Sequence, residues 1–286
     1  MKLYYVNSKN ERINFYDYPY LIQETDLFDY EYAYEGEAKE QGNEIISMKR
    51  EIKEKRLKIA VMADAGLQTE QKRKRMLEAV NRLQEVLDYD ATRNTDGRIY
   101  TEAGYYFSCR IAGSQKTQWY HRGSFMFNEL VFLAANPVWI KEESHEFFPN
   151  QSDSSLFLDY NYDHDYDYSA RENIVTLSIE HYAPSNFIMT IYGPCLNPKI
   201  LIGENRYAIN HIIEDGEYCS INSQEKTVLL HKKNGEIKNL FDFRAKEKSV
   251  FAKVPSGSNR VTWESQSGEF GFSLLLFKER SEPFWL

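Results

Sequence analysis

The sequence predicts a mainly β protein that contains one long helix. The chain of 286 residues includes 21 Tyr, 17 Phe and 4 Trp, and aromatic side chains favour strands. Only one window, at about 69–87, has its apolar residues at the spacing of a helix. The second half contains about ten short strand-like runs separated by turn residues, which is typical of an antiparallel sandwich or jelly roll.

The first half opens with short strands and a polar arm. Residues 3–6 and 11–16 are strand-like runs, and 57–64 is a strong strand signal. Between them, residues 31–56 are polar and are interrupted by glycines. This segment is either a solvated hairpin or loop, or an arm that reaches over a neighbouring subunit.

The helix at about 69–87 is amphipathic, with Thr69 as a candidate N-cap because its hydroxyl can accept from an unpaired backbone amide. Its apolar stripe consists of Met76, Leu77, Val80, Leu83, Val86 and Leu87. A basic run at 72–75 lies near its start, where positive charge opposes the helix dipole. The run is a solvated face or a contact for an acidic partner. The candidate subunit-contact residues on this helix are Met76, Val80, Leu83, Lys72 and Arg73.

After the helix, strand-like runs continue to the end of the chain. Asp96-Gly97 is a tight-turn signal, and 104–113 and 118–140 follow as strands. The runs of the second half are 174–180, 187–192, 199–202, 206–213, 217–222, 226–231, 236–243, 249–254, 259–264 and 270–278. Asn234-Gly235 is the strongest hairpin signal in the chain.

Composition excludes several classes of protein. The formal charge is −8 and there is no basic block, so we expect no nucleic-acid binding, which depends on phosphate neutralisation. No stretch of about 18 apolar residues occurs, so we expect no membrane insertion, and the N-terminus lacks the apolar core of a signal peptide. The three cysteines form no CxxC pair, which favours a chain that folds in a reducing cytoplasm.

Motifs for chemistry are sparse. The acidic run Asp159, Asp163, His164, Asp165 and Asp167 is rich in oxygen ligands, but it lacks the glycine and distal glutamate of a calcium loop. A solvated acidic face opposite aromatic residues explains the run without metal. Nucleophile elbows, phosphate loops and dinucleotide fingerprints are all missing. We therefore assign no catalytic residue, no metal and no cofactor, and expect no enzyme.

Trp263 is the candidate carbohydrate-binding residue. An exposed indole can stack on a sugar ring, and β-sandwiches often hold lectin sites. The alternative is a core or interface tryptophan, which is the commoner role of a tryptophan in a strand.

Three ordered segments resemble the distal tail protein (Dit) family of siphovirus-type bacteriophages. The first is KIAVMAD, the helix and then DGRIYTEAGYYFSCRIAGS. The second is FMFNELVFLAANPVWIKEESHEF. The third spans FIMTIYGPCLNPKILIGENRYAINHIIEDGEYCSIN, VFAKVPSGSNRVTW and FKERSEPFW. The resemblance covers nearly the whole chain and is strongest over 187–285.

The resemblance implies a structural protein with two antiparallel β-sandwich domains. Residues 1–150 would form the ring-forming domain with the helix and the arm, and 151–286 a galectin-like domain. Family members form a hexameric ring at the virion tail tip, assembled in the cytoplasm of the bacterial host. The ring joins the tail tube protein to the tail-associated hub or lysin protein, and in some phages it anchors receptor-binding proteins. Two alternatives remain: a carbohydrate-binding module of a tail or cell-surface assembly, and a cell-wall hydrolase.

Overall fold

The computed structural model describes residues 2–63, 66–118, 125–149 and 173–285. The chain divides into two compact units, Met1–Lys141 with Glu279–Leu286, and Glu142–Lys278. The final residues, whose domain the sequence leaves open, therefore belong with the first unit. The boundary expected between 150 and 151 and the acidic run at 159–167 lie outside the described residues, so the expected domain limits stay a prediction.

The first unit is built from antiparallel strands and one helix. Its strands are β1 (Leu3–Val6), β2 (Arg12–Asn14), β3 (Tyr16–Asp17), β4 (Tyr20–Thr25), β5 (Ala33–Lys39), β6 (Gly42–Lys49), β7 (Lys53–Met62), β8 (Gly97–Thr101), β9 (Tyr105–Thr117), β10 (Phe125–Ala134) and β11 (Trp139–Phe147), which continues into the second unit. One sheet has the order β9-β10-β7-β4-β3, and the first half of β9 also pairs with β8 and β11. The long strand β9 thus belongs to two sheets, and a common apolar core lies against both.

The helix, α1, spans Thr69–Arg93 and ends six residues beyond the predicted end at 87. The prediction of Thr69 as N-cap was wrong by one residue, because Gln68 holds that position and its backbone N–H is 3.4 Å from Oε1 of Gln71. The helix ends at Asn94, which adopts a left-handed conformation with φ 56°. Its apolar face packs on β7 and β9.

The end of α1 is fixed by a buried polar network. Asp90 is completely buried, and its Oδ2 accepts a hydrogen bond of 2.6 Å from the hydroxyl of Tyr5. Its Oδ1 accepts from the backbone and side chain of Ser8 at 3.0 and 2.6 Å. Gly97 passes close by, since a Cβ there would lie 2.1 Å from the Tyr5 hydroxyl oxygen. Gly97 begins β8, and its missing side chain permits the close approach of Tyr5 and Asp90. The tight turn predicted at Asp96-Gly97 was therefore wrong, because the glycine is needed for packing.

The second unit is a sandwich of two antiparallel sheets. Its remaining strands are β12 (Asn173–Ile179), β13 (Asn186–Tyr192), β14 (Cys195–Leu196), β15 (Lys199–Ile202), β16 (Asn205–Ala208), β17 (Ile212–Ile213), β18 (Tyr218–Asn222), β19 (Thr227–His231), β20 (Ile237–Asn239), β21 (Gly257–Glu264) and β22 (Phe272–Arg280). One sheet has the order β20-β19-β18-β13-β22 and the other β12-β21-β15-β16. Alternate residues of both sheets enclose one apolar core. The mainly β fold is confirmed, and α1 is the one α-helix among the described residues.

Turns of the second unit follow the sequence closely. Asn234-Gly235 joins β19 to β20, and Gly235 has φ 84°, so the predicted hairpin is confirmed.

The strand predicted at 249–254 was wrong. Within it Val250 and Val254 are buried in the core, but only Val254 makes a strand-like bridge, to Ser185. Burial of two valines four residues apart imitates a strand signal in a segment that is mainly turn.

In the described part of the chain, no helix has the length and apolarity that crossing a membrane requires.

Candidate interaction surfaces

The arm predicted at 31–56 contains an exposed β-hairpin. Strands β5 and β6 form a separate two-stranded sheet. Tyr34 and Met48 are cross-strand partners, and they are 71% and 60% exposed. Ile45, Ile46 and, just beyond the hairpin, Ile52 are also more than half exposed. A cluster of exposed apolar groups is typical of surfaces that bind another molecule.

The base of the hairpin is tied to the first unit. The guanidinium of Arg50 donates to the hydroxyls of Tyr32 and Ser281 at 2.9 and 3.0 Å, and these two hydroxyls lie 2.8 Å apart. An ion pair of 2.7 Å between Lys53 and Glu31 adds a second tie. The hairpin is therefore held at its root while its apolar side chains are presented to solvent.

The predicted subunit-contact residues on α1 are mostly inside the first unit. Met76 and Leu83 are each only 2% exposed, and Val80 packs against the same core. The prediction for Met76 and Leu83 is therefore corrected, because an amphipathic helix directs most of its stripe at its own core. Val80 is half-buried, and its role as a contact stays a prediction. Lys72 and Arg73 are half-buried, and their role as contacts stays a prediction.

Trp263 lies in the core of the second unit. It is 4% exposed, and its indole N–H donates to the carbonyl oxygen of Phe270 at 3.0 Å. Its ring packs against Phe147 and Phe272, with centroids 5.8 and 5.5 Å away. A covered indole cannot stack on a sugar, so the carbohydrate-binding prediction for Trp263 is corrected. Its strand-mate Val261 is buried on the same side, and this alternation was the available sequence signal.

The outer face of the sheet β20-β19-β18-β13-β22 is a second candidate surface. Strand register aligns Ile237, His231, Tyr218 and Tyr192 in one row across four strands. The next row holds Asn239, Leu229, Ser220, Thr190 and Ser273, and the third holds Thr227, Asn222, Ile188 and Leu275. None of these described residues is Lys, Arg, Asp or Glu, although 27% of the whole chain is charged. Depletion of charge is typical of the centre of an interface.

Hydrogen bonds hold the rings of this charge-free face. The hydroxyl of Tyr192, which is 46% exposed, is 3.2 Å from that of Ser273. Tyr218, 39% exposed, stacks on His231 with centroids 4.4 Å apart and planes 8° apart. The His231 ring nitrogen is in turn 3.3 Å from the hydroxyl of Ser220. The face therefore presents fixed aromatic rings beside neutral hydrogen-bonding groups.

The reactive side chains of the described residues offer little chemistry. Cys109, Cys195 and Cys219 are buried and free. Burial raises the pKa of the Cys195 and Cys219 thiols to about 12, so they are protonated and weak nucleophiles at neutral pH. No group of three or more His, Cys, Asp or Glu residues in the described ranges has the arrangement of a metal site.

Similar folds are found among solved structures, although no protein-family model and no curated protein matches the sequence. The Dit (gp 19.1) protein of SPP1, described as a paradigm of the hub adsorption apparatus in phages that infect Gram-positive hosts, aligns over 98% of both chains. The TM-score is 0.59 and the identity 13%. A chain of the phage P2 baseplate in its activated conformation with Ca aligns over 99% of both chains, with a TM-score of 0.56 and 11% identity. The same baseplate with Sr gives the same TM-score and identity. The chain therefore has the fold of the SPP1 Dit protein, which confirms the predicted resemblance to the distal tail protein family at the level of the fold.

Proposed function

We propose that this chain is a structural protein of a phage tail tip, with no catalytic activity. Six copies would form a ring that joins the tail tube protein to the tail-associated hub or lysin protein. The ring would assemble in the cytoplasm of the bacterial host and anchor receptor-binding proteins. The observation that carries the proposal is the fold shared with SPP1 Dit over 98% of both chains.

The exposed hairpin supports assembly into a ring. A closed ring needs a heterologous interface, in which each copy offers one surface and receives another. The hairpin offers Tyr34 and Met48 on one face, while Glu35 on the other face accepts from Lys49 at 2.7 Å. Burying the apolar face against a neighbour removes exposed apolar area from water, which favours association. The rooted base lowers the entropy lost when the hairpin docks.

The mass of the full-length chain in solution tests this proposal. Mass photometry should find a species of about six times 33.7 kDa. Replacing both Tyr34 and Met48 by Ser should move the population toward monomer without changing thermal stability. The matched control is Glu35→Gln with Lys49→Gln, which changes the other face of the same hairpin and should keep the ring. A ring unaffected by the Tyr34 and Met48 changes would refute the role of the hairpin.

The charge-free face supports a second candidate function, carbohydrate binding by the second unit. Tyr192 and Tyr218 offer aromatic rings to the apolar faces of sugars, and the neighbouring hydroxyls can bond to sugar hydroxyls. A glycan array probed with the full chain tests this. Tyr218→Ala should abolish the signal, and Tyr182→Ala, which removes a tyrosine that is 65% exposed elsewhere in the unit, should not. Equal binding by both variants would exclude the face.

A further inference from the structure

A basic depression on the second unit is lined by residues outside the three rows of the charge-free face. It occupies about 730 Å³, within the range of small-ligand sites. The described residues that line it include the cations Lys226, Arg244, Lys246 and Lys248 and no carboxylate. They come from the turn between β18 and β19 and from the segment that follows β20. Four cations around one depression are unusual in a chain whose net charge is −8.

In the described ranges, none of the four cations of this basic depression forms an ion pair. The Nζ of Lys248 donates at 2.8 Å to the backbone carbonyl of Glu204, which leaves its charge uncompensated. The nearest acidic residue along the segment, Glu247, is paired with Arg206. Clustered like charges repel one another, and a bound anion removes that repulsion.

Two aromatic rings line the basic depression. The rings of Phe241 and Phe251 lie 6.0 Å apart with planes 21° apart. The guanidinium carbon of Arg244 lies 3.7 Å from the centroid of the Phe241 ring, and the same guanidinium donates to the Phe241 carbonyl oxygen. Arg244 is thus fixed over a ring face, whereas the three lysines are exposed.

We propose that the basic depression binds a phosphate-bearing polymer, a ligand class outside the tail-joining function proposed above. Three of the four cations are lysines, which bind phosphate as point charges without a preferred direction. Arg244 already donates one nitrogen to a carbonyl, so an anion in this depression would be held mainly by the point charges of the lysines. The Phe241 ring, which is 37% exposed, adds apolar surface for a group carried by such a polymer.

Fluorescence anisotropy with labelled inorganic polyphosphate tests the proposal on the full chain. The wild type should bind, and affinity should fall steeply as salt rises from about 50 to about 200 mM, since each neutralised phosphate releases counterions. Lys246→Glu with Lys248→Glu should weaken binding about tenfold or more. Both side chains are exposed, so the fold should survive, and a melting curve checks this. The matched control, Lys233→Glu with Lys253→Glu, reverses two exposed charges outside the basic depression and should bind as the wild type does.

Competition separates the sources of phosphate. A single-stranded oligonucleotide that competes as well as unlabelled polyphosphate supports a site that accepts phosphates carried with bases, and one that competes poorly supports a polymer without bases. The proposal is overturned if the wild type does not bind polyphosphate at low salt, or if the Lys246 and Lys248 changes have no more effect than the control. It is also overturned if an oligo-glutamate peptide binds at least as tightly, since the partner would then be an acidic protein segment.

Discussion

Tyr5→Phe tests the buried network that ties α1 to β1. The change deletes one hydroxyl and leaves the ring, so the Asp90 Oδ2 atom loses a donor at 2.6 Å inside a fully buried site. A hydrogen bond to a charged group contributes about 1.5–3 kcal/mol, and an abandoned buried acceptor is costly. We therefore expect the first unit to lose about 2–3 kcal/mol of stability. Burial, followed by the neighbouring Asp90, raises the pKa of Tyr5, so its hydroxyl stays a donor in alkaline solution.

Tyr207→Phe is the matched control in the second unit. Tyr207 is also completely buried, but its hydroxyl donates to a neutral acceptor, the carbonyl of Ala252, at 2.8 Å. A neutral pair contributes about 1 kcal/mol. The comparison therefore isolates the effect of a charged acceptor at constant burial and constant chemical change.

Hydrogen exchange followed by mass spectrometry reads the two units separately. Amides of β1 and β8 should exchange about 30 to 140 times faster in Tyr5→Phe, because about 1.4 kcal/mol corresponds to tenfold. Amides of β16 should exchange about five times faster in Tyr207→Phe. If β1 and β8 exchange within about threefold of the wild type, the Asp90 network does not stabilise the unit as argued.

Two further predictions concern the second unit. Trp263→Phe should lower its stability by about 1–2 kcal/mol in thermal melts, because the hydrogen bond to Phe270 and part of a buried ring are lost; an unchanged melting temperature would contradict the core position. Burial acts to raise the pKa of Glu143, but hydrogen bonds from Lys278 and His145 outweigh it and lower that pKa below the ordinary 4.5. The stabilisation that ionised Glu143 gives the folded state is present above pH 4.5 and is lost as the pH falls through the lowered pKa. Glu143→Gln should therefore reduce the loss of stability in acid, measured by urea unfolding across that pH range, and an acid dependence equal to that of the wild type would contradict it.

The sequence predicts where elements lie better than where they end. The spacing of Met76, Leu83 and Val86 identified α1, because an apolar stripe must meet a core. Its last turns escaped prediction because Asp90 is buried there as a hydrogen-bonded carboxylate. A polar residue at a core position carries no periodic signal, and only the distant partner Tyr5 explains it.

The binding surfaces were harder to predict, for two different physical reasons. Alternation places Trp263 on the same side of its strand as Val261, but alternation alone leaves open which side is covered, so both roles of Trp263 stayed open. The charge-free face requires the register of four paired strands, and register depends on contacts between residues far apart in sequence. The basic depression joins Lys226 to a segment that begins near Phe241, so no single window of sequence contains it.

The three surfaces differ in the force that would hold a partner, and salt separates them. Contact through Tyr34 and Met48 would depend on burial of apolar area, which high salt does not weaken. Binding at the charge-free face would involve neutral groups and should vary little with ionic strength. Binding at the basic depression would depend on uncompensated lysines and should disappear first as salt rises. Ring mass, glycan signal and polyphosphate binding measured along one salt series should therefore respond differently, and a parallel loss of all three would mean that one shared electrostatic contact underlies them.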